Sequence, residues 1–399
     1  MKATERTCFE THPWIDFKPN LAEAPFTLWM RIGEAQSKCQ HISGVPLSPV
    51  IAKKFQTIYL SKGVHATTSI EGNTLSVQQV RQLVEGKLDL PKSQAYLATE
   101  VRNVTDICHE IARQIRDDTP IRITPELICA YNERVLRGLD HGEGIEPGVI
   151  RKISVGVGTY RGAPWEDCGY LLERLCTWLN DEMIAPAEDL RFAYALLKSV
   201  IAHLYIAWIH PFGDGNGRTA RLVEFLILVQ SGVPLPAAHL LSNHYNKTRT
   251  RYYAELDRSS KPNVGVTSFV AYAVEGFVDG LAGQLNVVRK HQWKLAWESY
   301  VHDQFRDQET AASTRQKHLV LDLPIKPISR HEVPSISVRV GRAYSAKGDK
   351  TLTRDINALL KMRLLRKVGT QYVPNRQLIL AFLPKRRREQ GEPPDQPPL

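Results

Sequence analysis

The stretch over residues 210–221, HPFGDGNGRTAR, constrains the fold more than any other part of this sequence. One apolar helical run precedes it over 190–209, and a second follows it over 222–229. The order is therefore helix, polar glycine-bearing turn, helix. Backbone N–H groups at the start of a helix attract anions, and Gly215 and Gly217 permit the turns that let such amides converge. The stretch predicts two helices joined by an anion-binding loop.

Four side chains of this loop suit chemistry on phosphate groups. His210 can exchange a proton near neutral pH. Asp214 offers a hard oxygen ligand of the kind that holds Mg²⁺ across phosphates. Arg218 and Arg221 are three residues apart, on one helix face, and carry forked donors that match phosphate oxygens. Together these residues predict a phosphoryl-transfer site.

At these positions the chain resembles the Fic family, whose signature is His-x-Phe-x-(Asp/Glu)-Gly-Asn-Gly-Arg-x-x-Arg. Every defined position of that signature is matched, by His210, Phe212, Asp214, Gly215, Asn216, Gly217, Arg218 and Arg221. The resemblance covers roughly residues 30–285 and implies a mainly α fold, a helical bundle with a β-hairpin flap. It also implies a protein adenylyltransferase, which transfers AMP from ATP to a Ser, Thr or Tyr hydroxyl of a target protein.

The resemblance assigns a role to each side chain of the loop. His210 would be the catalytic base, and Asp214 would hold the expected cofactor, Mg²⁺. The two glycine amides and the Asn216 side chain would contact the α-phosphate, while Arg218 and Arg221 would hold the β- and γ-phosphates. The expected nucleotide-binding residues of the loop are Asp214, Gly215, Asn216, Gly217, Arg218, Thr219, Ala220 and Arg221.

A second motif lies upstream, where a helix predicted over 49–69 ends in TTSIEGN. The pattern Thr67-x-x-x-Glu71-Gly72 is similar to the inhibitory motif of Fic proteins, (Ser/Thr)-x-x-x-Glu-(Gly/Asn). The resemblance implies that Glu71 lies at the nucleotide site, pairs with Arg221 and keeps the enzyme mostly silent. A plain helix end with a solvated Glu71 is the alternative.

Residues 150–167 have the strand character that predicts a β-hairpin, with apolar residues at alternate positions and a glycine-bearing turn. In the family a hairpin flap precedes the catalytic loop and aligns the target segment by strand addition. The flap residues expected beside the nucleotide are Val157, Gly158, Thr159 and Tyr160. Tyr252, in a helix predicted over 246–257, is a further nucleotide-adjacent candidate by the same resemblance.

The composition changes towards the C-terminus. An amphipathic helix is predicted over 350–360 and two short strands around Gly369 over 364–373, with residues 328–333 assigned to the first helices. This pattern predicts a small winged-helix-like α+β domain. The predicted domains are an N-terminal helical region with the inhibitory helix over 1–110, the Fic catalytic core over 111–290, the winged-helix-like domain over 291–383 and a disordered tail over 384–399.

Positive charge is concentrated in the same region. Residues 312–388 contain 18 Lys+Arg and 4 Asp+Glu, a net +14, whereas the rest of the chain has 34 basic and 38 acidic residues. Such charge on a helix-plus-hairpin module predicts DNA binding through residues 312–388. A protein–protein or dimerisation module, which would make the chain a homodimer, is the alternative.

Composition places the chain among globular proteins, with 43% hydrophobic and 24% charged residues. The six cysteines are scattered without a zinc-type pair, and the first residues lack the apolar core of a signal peptide, so a cytoplasmic location is expected. A membrane partner is not expected, because no run of eighteen apolar residues occurs.

The activity has alternatives within the family and outside it. The same site could remove AMP from a modified protein, use UTP or GTP, or transfer phosphocholine. From a different class, the chain could be a DNA-binding regulator whose Fic core serves as a sensor. The target protein, its acceptor residue and the nucleotide preference have no signal in the sequence.

Overall fold

The structure is a computed structural model, and it describes residues 6–21, 23–117, 121–158, 160–261, 264–308 and 310–380. The chain forms two compact units, Met1–Gln284 and Leu285–Leu399, and the boundary between them falls inside one long helix. Thr159 and the predicted tail over 384–399 lie outside the described residues. The predicted domain limits at residues 110 and 290 stay predictions, since the first unit includes the whole N-terminal region.

The first unit is mainly helical, as predicted. Its helices are α1 (Thr7–Thr11), α2 (Phe26–Gly44), α3 (Pro49–Ile70), α4 (Val77–Val84), α5 (Ala95–Arg116), α6 (Pro125–Leu136), α7 (Cys168–Thr177), α8 (Arg191–Ile209), α9 (Asn216–Gln230), α10 (Leu235–Ala238), α11 (Leu240–Lys247), α12 (Arg249–Ser259) and α13 (Thr267–Gln304), which continues into the second unit. Strands β1 (Gly156–Val157) and β2 (Tyr160–Arg161) pair antiparallel and form the predicted hairpin. Short 3-10 turns occupy Lys92–Gln94, Trp165–Asp167 and Glu188–Leu190, and a π-helical segment, Trp178–Glu182, extends α7.

Helix α8 lies at the centre of the first unit and packs against α9. Within the described residues, the segment Glu188–Ile209 is long and apolar enough to cross a membrane, but 72% of its most apolar window is buried inside the protein. A helix that is apolar on all sides and covered by protein is a core helix. This central pair of helices fixes both ends of the predicted catalytic loop.

Helix α3 carries the predicted inhibitory motif and packs against α4, α5, α9, α10 and α11. Its N-terminus is capped by Ser48, whose hydroxyl accepts a hydrogen bond from the Ile51 amide at 3.5 Å. Gly63 lets α3 approach its neighbours closely, because a Cβ there would lie 2.3 Å from Nδ1 of His239. The close packing brings the end of α3 to the catalytic loop.

One helix predicted over 246–257 is two helices in the structure, α11 and α12, which meet at Thr248. The Thr248 hydroxyl contacts the His244 carbonyl oxygen at 2.8 Å and the Tyr272 hydroxyl at 2.6 Å. Such local bonding of a threonine side chain competes with helix continuation. Tyr252, which lies in α12, is buried.

The second unit has its own apolar core, to which Leu319, Val340, Ile356 and Leu364 contribute. Its elements after α13 are α14 (Ala311–Asp322), a 3-10 helix (Arg330–Ser335), α15 (Val338–Ser345), α16 (Asp349–Lys361), β3 (Leu365–Val368), β4 (Gln371–Pro374) and a 3-10 helix (Arg376–Leu380). Strands β3 and β4 form an antiparallel hairpin, as predicted. The assignment of Ile328 to a helix was wrong, because Ile328 extends the hairpin by an antiparallel bridge to Tyr372.

Candidate active site

The loop between α8 and α9 is bounded by two left-handed residues. His210 has φ 51° and ψ 56°, a conformation that few non-glycine residues adopt. Gly215 has φ 77° directly before α9, where a residue without a Cβ is not strained. The chain therefore turns sharply at both ends of a short connection between two buried helices.

Two asparagine side chains hold this loop in shape. Asn216 accepts from the Phe212 amide at 2.9 Å and donates to the Phe212 carbonyl at 2.8 Å. Asn132 of α6 donates to the Asp214 carbonyl at 2.8 Å and accepts from the Gly148 amide at 2.9 Å. The Asn216 side chain thus closes the loop, and its assignment to the α-phosphate stays a prediction. Asn132 was missed because one asparagine in a predicted helix carries no signal of a distant contact.

A cavity of about 410 Å³ lies beside the loop, within the size range of small-molecule sites. It is lined by Ile70, Glu71, Gly158, Tyr160, Ala207, Trp208, His210, Asn216, Gly217, Arg221, Tyr252, Tyr253, Leu256 and Asp257. Of the predicted loop residues, Asp214, Gly215, Arg218, Thr219 and Ala220 are not in this lining, and both Thr219 and Ala220 are completely buried. The structure therefore brings the end of α3, the flap, the loop and α12 together around one cavity.

Glu71 and Arg221 meet in this cavity. Nη2 of Arg221 donates to Oε1 of Glu71 at 2.6 Å and to the Thr67 carbonyl at 3.1 Å. Gly217 leaves room for the contact, since a Cβ there would lie 2.4 Å from Oε1 of Glu71. Burial acts to raise the pKa of Glu71, but the Arg221 charge and hydrogen bond outweigh it and hold the pKa below its usual value. The pair is therefore ionised at neutral pH.

Arg221 also has unused hydrogen-bonding capacity. Its Nε and Nη1 atoms are buried and have no hydrogen-bond partner in the described part of the chain. A buried guanidinium with unpaired donors is costly unless a ligand uses them. Because Arg221 lines the cavity, these donors point to an anionic group as its occupant.

Arg218 faces away from the cavity lining and takes part in a buried network. It donates to Oε1 of Glu100 at 2.9 Å and to Oδ1 of Asp214 at 3.2 Å. Asn73 donates to the second oxygen of Glu100 at 2.8 Å. Burial raises the pKa of Glu100, against the lowering effect of its Asn73 and Arg218 partners. Arg218 thus orients the Asp214 carboxylate, and Glu100 is a supporting residue that the sequence did not reveal.

His210 has the protonation state that a general base needs. Burial lowers its pKa to about 4, against the raising effect of the Ala207 carbonyl, and the positive charge of Arg151 lowers it further. The ring is therefore neutral at pH 7 and able to accept a proton. Nδ1 lies 3.4 Å from the Ala207 carbonyl oxygen, which favours the tautomer with its proton on Nδ1 and the free lone pair on Nε2.

Asp214 is the residue of the loop that could hold a metal ion. Its side chain is 43% exposed, and Oδ1 accepts from Arg218 while Oδ2 has no hydrogen-bond partner among the described residues. Those residues contain no cluster of three metal-ligating side chains. Mg²⁺ is usually bound through one or two carboxylates together with substrate phosphates, so a single carboxylate with a free oxygen fits it.

The flap and α12 complete the cavity. Tyr160 lines it and donates its hydroxyl proton to the Trp208 carbonyl at 2.9 Å. Val157 pairs with Tyr160 through the backbone, and Gly158 lines the cavity at the turn. The Tyr252 hydroxyl lies 2.9 Å from Nε2 of the buried His203, and burial raises the pKa of Tyr252. Both tyrosines therefore line the cavity with their hydroxyl groups held by neighbouring residues.

Part of this chain is similar to known proteins of one family. The model of the Fic/DOC family matches residues 122–228. The chain is 33% identical over 199 residues to protein adenylyltransferase fic-1 of Caenorhabditis briggsae, covering 48% of this chain and 35% of the relative. It is 28% identical over 226 residues to protein adenylyltransferase Fic of Nematostella vectensis, covering 56% of this chain and 48% of the relative. The matches thus span less than half the length of these curated relatives.

Solved structures of similar fold are also found. A Fic family protein from Desulfovibrio desulfuricans G20 aligns with a TM-score of 0.53 at 21% identity, over 87% of this chain and 94% of that protein. Fic-1 from C. elegans aligns with a TM-score of 0.51 at 24% identity, over 66% of this chain and 74% of that protein. At these identities the likeness concerns the fold alone. The matched family model and the complete signature over 210–221 show that this chain contains a Fic/DOC-family domain over residues 122–228.

Proposed function

We propose that the protein is an adenylyltransferase that transfers AMP from ATP to a hydroxyl group of a target protein. The observation that carries the proposal is the cavity in which neutral His210 lies with Arg221, whose buried donors are partly unpaired. A base and an anion-binding guanidinium in one cavity are what attack of a hydroxyl on a nucleotide phosphate requires. The curated relatives are named protein adenylyltransferases, which agrees with this chemistry.

The reaction follows from the placement of these groups. His210 accepts the proton of the acceptor hydroxyl as its oxygen attacks the α-phosphorus of ATP. The new bond joins that oxygen to the α-phosphorus, and the bond from the α-phosphorus to the bridging oxygen breaks, releasing pyrophosphate. Arg221 donates to the terminal phosphates, and the backbone at Gly217 borders the same cavity. The residues contribute positioning and electrostatic stabilisation, as in other phosphoryl transfers.

Mg²⁺ is proposed as the metal of this reaction, held by Asp214. Bound there, it would neutralise charge on the phosphates of the substrate. Arg218 keeps the Asp214 carboxylate oriented, and its other contact, with Glu100, anchors it to α5. The second oxygen of Asp214, Oδ2, would be the atom that holds the ion.

Autoinhibition by Glu71 is also proposed. The ion pair with Nη2 occupies the arginine that the terminal phosphates need, and the carboxylate repels them. A misplacement of the α-phosphorus by about 1 Å costs on the order of 100-fold in rate, so a displaced triphosphate suffices to block transfer. Thr67 contributes its carbonyl to the same guanidinium.

The activity is tested with labelled ATP, Mg²⁺ and a cell lysate, followed by mass spectrometry of the labelled proteins. We expect His210→Ala to abolish labelling while nucleotide affinity is retained, because the base acts on the acceptor. Asp214→Ala should lose both the labelling and its dependence on Mg²⁺. His141→Ala, an exposed loop histidine, is the control and should label normally. Wild-type labelling by His210→Ala would exclude the mechanism, and release of AMP from a modified protein would indicate the reverse reaction.

A second function, binding of duplex DNA by the second unit, is favoured by one surface of α16. Lys350, Arg354, Asn357 and Lys361 are exposed at spacings of four, three and four residues, so they lie on one helix face. None of the three cations has an ion-pair partner among the described residues. We call these four residues the α16 stripe.

The elements around the α16 stripe support the same proposal. Helix α15 precedes α16 across a turn of three residues, 346–348, which is the spacing of a helix-turn-helix. The β3–β4 hairpin that follows exposes Arg366 and Lys367. We propose a winged-helix module in which α16 enters the major groove and the hairpin contacts phosphates. Fluorescence anisotropy with a labelled duplex at increasing salt tests it, and sedimentation of the same samples tests the alternative, a homodimer.

A further inference from the structure

Arg151, which lies between α6 and the flap, has an unusual environment for an arginine. It is 6% exposed, and no carboxylate forms an ion pair with it in the described part of the chain. Instead its guanidinium donates to backbone carbonyls: Nε to His210 at 2.7 Å, Nη1 to Ile153 at 2.5 Å, and Nη2 to Ala163 at 2.5 Å and to Ile209 at 3.4 Å. A single side chain thus bonds to three separate backbone segments.

Two of these carbonyls belong to the end of α8. The last carbonyls of a helix have no partner within it and carry partial negative charge, which a cation stabilises. His210 has a left-handed backbone conformation, so its carbonyl group does not point along the axis of α8. Arg151 satisfies this carbonyl, and its own amide donates to the Pro211 carbonyl at 3.0 Å. The base is therefore held from its backbone by Arg151.

The other two carbonyls belong to the flap. Ile153 precedes β1, and Ala163 follows β2, so Arg151 connects both ends of the hairpin to His210. The backbones approach closely here, since a Cβ at Gly162 would lie 2.9 Å from the Cβ of His210 and 3.0 Å from Nη2 of Arg151. The Ala163 amide and the Tyr160 hydroxyl bond the Trp208 carbonyl at 3.3 and 2.9 Å, and Arg151 adds the contact that joins both ends of the flap to the His210 backbone.

We propose that Arg151 is a positioning residue that sets the flap in register with His210, so that an acceptor segment paired with the flap presents its hydroxyl to the base. This inference rests on the proposed AMP transfer. Lysine cannot replace Arg151 in this role, because one ammonium group lacks the planar fork that reaches carbonyls in different directions. If Arg151 served folding alone, Arg151→Lys would not lower the rate of AMP transfer while the affinity for ATP stayed the same.

The test compares Arg151→Lys and Arg151→Met with their parent, full-length protein carrying Glu71→Gly. Arg122→Met is the matched control, because Arg122 is an exposed arginine in an ion pair with Asp181 at 2.8 Å. We expect Arg151→Lys to lower kcat for AMP transfer by about 10- to 100-fold, the range for a misplaced reacting atom. The Kd for ATP should stay within about twofold of the parent, since no ATP-binding group is removed. An unchanged kcat in Arg151→Lys would overturn the inference, as would a parallel loss of nucleotide affinity and melting temperature.

Hydrogen exchange separates this inference from the proposed activity. In nucleotide-free protein, Arg151→Lys should accelerate hydrogen exchange of the backbone amides over 153–163 and of residues 210 and 212, on either side of Pro211. The control Arg122→Met should leave these exchange rates unchanged. This measurement does not depend on catalysis. If the parent protein shows no AMP transfer, the proposed function is refuted, but the exchange rates still decide whether Arg151 positions the flap. Unaltered exchange in Arg151→Lys would refute the positioning role. If Arg151→Met does not fold, Arg151→Lys alone decides both measurements.

Discussion

At the scale of single residues, the site depends on two charged side chains of opposite sign that face one cavity. Arg221 is 1% exposed in its side chain, and Glu71 is 26% exposed. The contact between them uses the donors of one Arg221 nitrogen and leaves Nε and Nη1 unpaired. The arginine is therefore available to a nucleotide only in part while Glu71 stays in place.

Glu71→Gly should raise transfer of labelled AMP, both to targets and to the protein itself, by about tenfold or more. The reason is that the Arg221 donor that Glu71 uses then becomes available to the terminal phosphates, and the carboxylate that repels them is absent. Glu71→Asp should raise it less, because a shorter side chain still supplies the negative charge. Glu85→Gly is the control, a helix-end glutamate that also pairs with an arginine, Arg81, at 2.8 Å.

The pH dependence of this inhibition follows from the sign of the pKa shift. The pKa of Glu71 in the folded protein is held below the usual pKa of a glutamate. The ion pair is therefore fully formed at any pH above that usual pKa, and it is lost as the pH falls through the folded-state pKa. Inhibition should therefore not vary between pH 6 and 8, which transfer assays with wild type and Glu71→Gly measure. If wild type and Glu71→Gly transferred AMP at equal rates across this pH range, Glu71 would be a helix-end residue without a regulatory role.

At the scale of elements, the turn after α3 is joined to α9 by two charged contacts. Glu71 pairs with Arg221, and Asn73 reaches Arg218 through Glu100 of α5. The second contact is buried on both sides, since the side chains of Arg218 and Glu100 are 7% and 10% exposed. Glu100 therefore connects the turn after α3, α5 and the start of α9.

Glu100→Ala should lower the free energy of unfolding by about 3 kcal/mol, because it leaves the buried Arg218 charge with only the partly exposed Asp214 carboxylate as a partner. Urea denaturation at pH 7 measures the change. Glu110→Ala is the matched control on the same helix, since Glu110 pairs with Arg134 at 2.8 Å but is 35% exposed, and it should cost less than about 1 kcal/mol. Similar losses in both variants would contradict the role of Glu100 as a buried anchor.

At the scale of the whole molecule, the two units have separate candidate functions. The predicted catalytic and inhibitory residues lie in the first unit, and the α16 stripe lies in the second. The excess positive charge over 312–388 is likewise outside the catalytic core. Binding of DNA and transfer of AMP should therefore be separable by mutation.

Reversing the charge of the α16 stripe with Lys350→Glu, Arg354→Glu and Lys361→Glu should remove duplex binding and leave AMP transfer unchanged. Each lost phosphate contact lowers the slope of log affinity against log salt by about one. The control reverses three cations of α13, Arg289, Lys290 and Lys294, and should bind as wild type does. Unaltered duplex affinity in the stripe variant, measured by anisotropy at several salt concentrations, would refute the DNA interface.

The sequence alone determined the loop between α8 and α9 and most helices of the first unit. Apolar periodicity is a local property, so it located α8 and α9, and the glycines and charged residues between them defined the loop. The pattern ending in Glu71 and Gly72 likewise marked the end of α3 correctly, because a glycine with positive φ stops a helix. The strands flanking Gly369 were predicted by the same local rules.

Only the tertiary structure decided which of these residues share the cavity. Arg218 and Arg221 lie on one helix face in the sequence, yet Arg218 is drawn to Glu100 while Arg221 meets Glu71. Arg151 has no motif around it, and its role depends on carbonyl groups, which every residue possesses and no sequence pattern distinguishes. Side-chain contacts across 50 to 150 positions are set by how helices pack, and helix packing is a property of the assembled core that no local pattern determines.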